Sequence, residues 1–419
     1  MTDTATLCFS HSLTSDEVLE VLRSFLTTPA YTAPGADTVW GIPFAVWGEP
    51  GTAKSSITRE IGSKLFGLSL TMSLAQHDAE EIAGYGVPNK TRTAMTKLPS
   101  PVFAEANAAA SACIGLDEFG SVAEHKQAAA LTLLTERLAG DTKVAGHVRI
   151  FAIGNPPECA ADANTLAAPT ANRFLHVPWV PPSVGSMKTH WRRSSLQREI
   201  VREDVAEIEA RVLAAWPEAY SAAVTIVGEY LDRFEADAHA MSDGDDYRWP
   251  SVRSWTNLIH ALAGGIIHGL SPRQMEFVAY CALPEGLAAR FASFWQDQDL
   301  PAPRGVLMDP ESYEPTERFD KTHAVLGATV TYLASYTGDD REDLARAWWT
   351  LADRVIESPY GGADFVREYA REMSRSVAKD GLGFGPDKIT EAAPVVEKLF
   401  SVLMAEKKAK AKAKANKSK

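Results

Sequence analysis

Apolar residues recur at helical spacing between Ser15 and Leu26, where Val18, Leu19, Leu22, Phe25 and Leu26 fall on one face. Beyond a Pro- and Gly-containing loop, Pro29 to Gly35, the period changes. Short apolar runs at Phe44–Trp47, Leu68–Ser73, Ala112–Leu116, Val148–Ile153 and Phe174–Val177 read as strands. Between them, Lys54–Phe66, Pro101–Ala110, Glu124–Leu138 and a short stretch ending near Arg173 read as helices. Strands alternating with helices predict an α/β fold, a five-stranded parallel sheet with helices on both faces. Ligands of such sheets sit at the carboxyl ends of the strands. After the proline-rich Pro178–Ser183 the strand signal stops. From about Met187 to Ala405 the pattern is helical, broken near Asp243, Pro301 and Gly361. The expected divisions are 1–180, 181–300, 301–405 and a Lys-rich tail, 406–419. No internal repeat is visible.

The chemistry clusters at the strand ends. AVWGEPGTAKSS runs from an apolar strand through a glycine turn into a helix, the layout of a phosphate-binding loop. Gly48, Glu49, Pro50, Gly51, Thr52, Ala53, Lys54, Ser55 and Ser56 would line it, all but Pro50 with a backbone N–H. Lys54 would neutralise the outer phosphates of ATP, and Ser55 would ligate Mg²⁺. Ala53 stands where glycine is usual, and its methyl group fits if the position keeps helical dihedrals. The other reading is a glycine turn capping an ordinary helix. ACIGLDEFG ends a strand on Asp117 and Glu118. Adjacent carboxylates there repel unless a cation is near. Asp117 is therefore the expected Mg²⁺ holder, and Glu118 the group that polarises the attacking water.

Asn155, ending RIFAIGN, is placed to orient that water, or it opens a turn with Pro156 and Pro157. Arg173, in PTANRFLHV, is placed to reach the γ-phosphate of a neighbouring copy, or it forms a surface salt bridge. Arg253, in WPSVRSW, either folds back onto the nucleotide or pairs locally with Asp245 or Asp246.

The phrases GEPGTAKS, DAEEIAGYG, LPSPVFAEA, LDEFGSVAEHKQAAALTLLTER, GDTKVAGHVRIFAIGNPPE, APTANRF and WPSVRSW come in that order. Together they resemble an AAA+ ATPase of the MoxR-like, dynein-related branch, over about residues 40 to 260. The resemblance implies a P-loop nucleotide-binding domain over 1–180, a helical lid carrying Arg253 over 181–300, and a homo-oligomeric ring, six-membered by family likeness, that remodels a protein partner. Such ATPases often work with a protein bearing a von Willebrand factor A domain. The chain departs from the pattern at Gly115, inside the Asp-Glu strand, and at Asn172, where an aspartate often precedes the arginine. Residues Glu81–Asn89 fall where these rings place a pore loop, so that Tyr85 either grips a threaded chain or packs on its own loop. Gly140–Val148 reads as a hairpin.

The net charge is −12, and Lys407–Lys419 holds seven lysines and no acid, so the body is more acidic still. That disfavours wholesale nucleic-acid binding, while the tail and the hairpin keep a nucleic-acid or defence-related motor open as a rival. A slow nucleotide-gated scaffold is a second rival. Cys8, Cys113, Cys159 and Cys281 lack pairing or metal-ligand spacing, and His77, His125, His147 and His176 are isolated. The ten tryptophans, Trp348 and Trp349 among them, suit helical packing. No run of about 20 apolar residues and no secretory leader is visible, so the expected location is cytoplasmic and off the membrane.

Overall fold

Five apolar runs form one parallel sheet in the computed structural model, which describes residues 13–30, 37–156, 166, 168–194, 202–239, 248–296, 301–315, 319–376 and 395. The strands are β1 (Phe44–Trp47), β2 (Leu68–Ser73), β5 (Ala112–Asp117), β8 (Val148–Gly154) and β9 (Leu175–Pro178), in the order β2-β5-β8-β1-β9. In the pairing of β1, Ala45 stands opposite Ala152 on one side and His176 on the other. All four residues of β1 and all seven of β8 are buried, as strands covered on both faces must be. The covering helices α2 (Lys54–Leu65), α4 (Pro101–Ala108), α5 (Glu124–Glu136) and the short α6 (Ala168–Ala171) follow the strands. Phe103 and Leu133 from two of them close on Ile114, Ile150 and Ala152. This is an α/β architecture, a parallel sheet covered by helices.

Two hairpins interrupt the alternation. Residues expected to form a loop pair as β3 (Tyr85–Pro88) with β4 (Met95–Leu98), after the short helix α3 (Ala79–Ala83). Gly86 and Pro88 hide this strand from a sequence reading, because both weaken a strand signal. The second hairpin pairs β6 (Leu138–Ala139) with β7 (Thr142–Lys143). It starts earlier than Gly140 because Arg137, at φ 55°, turns left-handed and stops α5. Gly115 leaves room beside Phe151, whose ring would lie 3.2 Å from an added Cβ.

The chain folds as two compact units, Met1–Ala214 with Phe234–Ser293, and Ala215–Arg233 with Phe294–Lys419. In the first, α1 (Ser15–Leu26) starts from a reciprocal Thr14–Glu17 capping box. Helices α7 (Val184–Ser194), α9 (Val252–His268) and α10 (Pro272–Ala282) follow the sheet, and α9 and α10 pack against α1. His260 of α9 bonds the Pro29 carbonyl at 2.8 Å. Helices α8 (Val205–Arg233) and α11 (Glu285–Gln296) each cross from one unit's residues to the other's.

The second unit's core lies among α12 (Pro303–Met308), α13 (Phe319–Ser335), α14 (Arg341–Glu357) and α15 (Ala363–Ser376). Trp348 and Trp349 are buried there edge-to-face, 5.0 Å apart, and the Trp348 indole donates to Thr329 Oγ1 at 3.1 Å. Cys113 and Cys281 are free and buried. Cys8, Cys159, Asp243, Asp245, Asp246, Pro157 and the Lys-rich tail lie outside the described residues. Among the described residues no helix is long and apolar enough to cross a membrane.

Candidate functional site

The loop leaving β1 is held from beneath. Trp179, just past β9, donates its backbone N–H to Trp47 O at 2.6 Å and its indole N–H to Thr52 O at 2.9 Å. Its side chain packs so close to the loop that a Cβ on Gly48 would lie 2.8 Å from Trp179 Cβ and 3.2 Å from Lys54 Cδ. Any larger residue at 48 must push the lysine or the indole aside. Thr52 Oγ1 donates to Glu49 O at 2.7 Å and closes the turn from within.

Lys54 opens α2 with only 7% of its surface exposed. Its Nζ donates to Gly48 O at 2.7 Å, Glu49 O at 2.6 Å and Asn155 Oδ1 at 3.0 Å. The ammonium is thus centred in the loop and tied to the residue that follows β8. Ala53, at the N-cap of α2, has no side-chain acceptor to give the first helical N–H groups. That end of a twelve-residue helix presents donors and positive dipole to an anion.

Ala53 itself corrects the sequence reading. It does not keep right-handed helical dihedrals but sits at φ 66°, ψ 15°, in the left-handed region. Gly51, two residues earlier in the same turn, also has positive φ, at 79°. An L-residue in this conformation costs about 1–2 kcal/mol, which glycine avoids. Ala53→Gly is therefore expected to raise the thermal unfolding temperature of the nucleotide-free protein, by an amount equivalent to about 1 kcal/mol. An unchanged or lowered temperature would refute the strain.

Asp117 and Glu118 stand where β5 ends. Asp117 Oδ1 accepts from the Glu118 backbone N–H at 2.9 Å, and the Asp117 carbonyl accepts from Leu74 N at 3.0 Å. Glu118 is exposed and also left-handed, at φ 64°. Ser73, the last residue of β2, donates its hydroxyl to Glu118 Oε2. The left-handed backbone and this partner together fix the carboxylate, and Ser73 is a candidate site residue that sequence reasoning passes over as a strand end. The donor types fit Mg²⁺, since the Ser55 hydroxyl and the Asp117 carboxylate are hard oxygen ligands. Bound there, Mg²⁺ would neutralise phosphate charge.

Beside the loop lies a cavity of about 890 Å³, lined by Gly51, Thr52 and Ala53 together with Leu19 of α1, Pro181 and Met187. Its size and mixed lining suit a nucleoside.

Arg173 and Arg253 lie elsewhere. Both line a second cavity, of about 630 Å³, with Glu136, Arg137 and Asn257. None of Lys54, Ser55, Asp117, Glu118 and Asn155 borders it. Arg253 is in the first turn of α9, and it lines the same cavity as Arg173. Asn172, the departure noted before the arginine, donates Nδ2 to Ser251 Oγ at 2.8 Å. Ser251 caps α9, so this bond fastens the Arg173 turn to the helix that carries Arg253. Arg173 Nε is buried and has no hydrogen-bond partner among the described residues.

No protein-family model matches the sequence, and no curated protein matches it either. Among solved structures, the chain is similar to a candidate ATPase from Cytophaga hutchinsonii, at 15% identity and a TM-score of 0.44. The match covers 68% of this chain and 92% of that one. So low a score bears on neither family nor mechanism.

Proposed function

We propose that the chain is an AAA+ ATPase of the MoxR-like kind, hydrolysing Mg-ATP in a homo-oligomeric ring at sites built jointly by two copies. One observation carries this reading. Lys54 and Asn155 are bonded at the loop, while Arg173 lines a cavity that includes none of the loop's phosphate-binding or carboxylate residues. A triphosphate in the loop would meet the lysine, the asparagine and Glu118 from one copy, and an arginine from the next. Glu118 takes the proton of the attacking water, Asn155 holds that water by its amide, and Lys54 and the α2 N–H groups oppose the charge on the phosphates. The nucleoside enters the cavity beside Ala53. Arg253, lying with Arg173, belongs to the same face offered to the neighbour.

A protein partner suits the β3–β4 hairpin, where Tyr85, Met95 and Leu98 are 49%, 62% and 53% exposed. Such side chains offer apolar grip on an extended chain, with a von Willebrand factor A-domain protein as the partner the resemblance suggests. The test is turnover per chain against protein concentration. It should rise steeply as assembly proceeds and vanish in Lys54→Ala. A rate per chain independent of concentration, in a protein shown to be monomeric throughout, overturns the composite site.

A further inference from the structure

Directly beneath the candidate site lies a buried aromatic cluster that the reading above does not use. Trp47, Phe119, Phe174 and His176 form it. Trp47 and His176 stack at 6.0 Å and 18°, Phe174 lies 5.0 Å from His176, and Phe119 meets Phe174 edge-on at 5.6 Å and Trp47 at 6.4 Å. Three of the four rings neighbour a site element in sequence. Trp47 precedes Gly48, Phe119 follows Glu118, and Phe174 follows Arg173. Gly154, before Asn155, packs flat on the indole, where an added Cβ would lie 2.8 Å from Trp47 Cζ3. Gly120 does the same at 2.9 Å.

The cluster has a direction. An indole N–H only donates, and Trp47 Nε1 lies 3.0 Å from His176 Nδ1. Nδ1 must therefore accept, so the ring proton sits on Nε2. That atom lies 2.8 Å from the Ala171 carbonyl, to which it donates. His176 is 3% exposed, and both its nitrogens are engaged. Ala171 ends α6 and is followed by Asn172 and Arg173. Two directional bonds thus run from the last residue before the phosphate loop to the turn that presents the arginine.

We propose that Trp47 and His176 are positioning residues that couple a chain's own nucleotide loop to the arginine it offers to the next chain. The coupling rests on the composite site proposed above. If Arg173 serves the neighbour, whatever shifts Trp47 in one pocket moves the arginine of the adjacent pocket, and filling of successive sites becomes cooperative. Neither residue touches nucleotide.

The test cuts one bond from both ends. Trp47→Phe removes the indole donor and keeps an aromatic ring, while His176→Gln keeps an N–H for Ala171 and gives up the Nδ1 acceptor. The steady-state rate against Mg-ATP is fitted for a Hill coefficient. The wild-type coefficient should exceed one. Each variant should bring it to about one, with affinity for a non-hydrolysable ATP analogue within about threefold. The double variant should do no more than either single, because both remove the same interaction. Additive losses, a coefficient that follows the melting temperature, an unchanged coefficient in both variants, or a wild-type coefficient of one each overturn the coupling. The composite site is judged separately: it fails if Arg173→Ala and Lys54→Ala chains, each inactive alone, stay inactive when mixed, whatever the coefficient.

Discussion

Arg173→Ala should lower turnover by about 10³-fold or more while ATP affinity changes only a few fold. An arginine supplied to a phosphoryl group from a second subunit is worth that much in rate, because it meets charge that develops only in the transition state. It adds little to ground-state binding when the lysine, the helix N-terminus and the metal already hold the nucleotide. The geometry gives the prediction its particular form. Arg173 shares its cavity with Arg253 and Arg137, apart from Lys54 and Glu118, so its loss should leave the chain's own pocket intact. Mixing supplies the decisive comparison. Arg173→Ala chains keep a complete loop, Lys54→Ala chains keep the arginine, and a mixed ring contains some interfaces with both. Turnover should therefore reappear on mixing. If affinity collapses and turnover per bound ATP is unchanged, the arginine belongs to its own pocket or to the fold.

The parallel sheet, and the polar residues that end its strands, were legible in the sequence for a simple physical reason. Strands buried on both faces read as continuous apolar runs, and the polar residues that end them, Asp117, Glu118 and Asn155, stand out against that background. That Lys54 opens a helix was legible because a glycine turn precedes it. The Lys54–Asn155 contact was not, since it joins positions from different strands and only the order β8-β1 brings them together.

The left-handed backbone at Ala53 and Glu118 was also hidden. Nothing in the residue types signals it, and propensity argues the other way. Trp179 and His176 were passed over for opposite reasons. Trp179 sits in a proline-rich stretch that looks like a linker. A lone histidine on an apolar strand looks like filler, and its two partners, Trp47 and Ala171, are distant and near in sequence respectively. The β3–β4 hairpin was lost because its strands bury nothing.

Glu118→Gln should reduce turnover by about 10²–10⁴-fold, the span of a positioned general base, and should leave ATP bound. The amide keeps the size of the carboxylate and can still accept from Ser73, so the left-handed turn at 118 and the end of β2 need not move. What it loses is the basicity that draws a proton from water. Bound nucleotide then persists. Since ATP in this scheme contacts two copies, persistence should favour the assembled state by mass action: each hundredfold excess of free ATP over its dissociation constant adds about 2.7 kcal/mol to whichever form binds it. Mass photometry of this variant should accordingly show larger species with Mg-ATP than without. Glu118→Ala separates the two effects of the side chain, because it removes the base and also releases Ser73. If the Gln variant hydrolyses ATP at the wild-type rate, the proton goes elsewhere. If it binds ATP without assembling, the nucleotide is held by one copy alone.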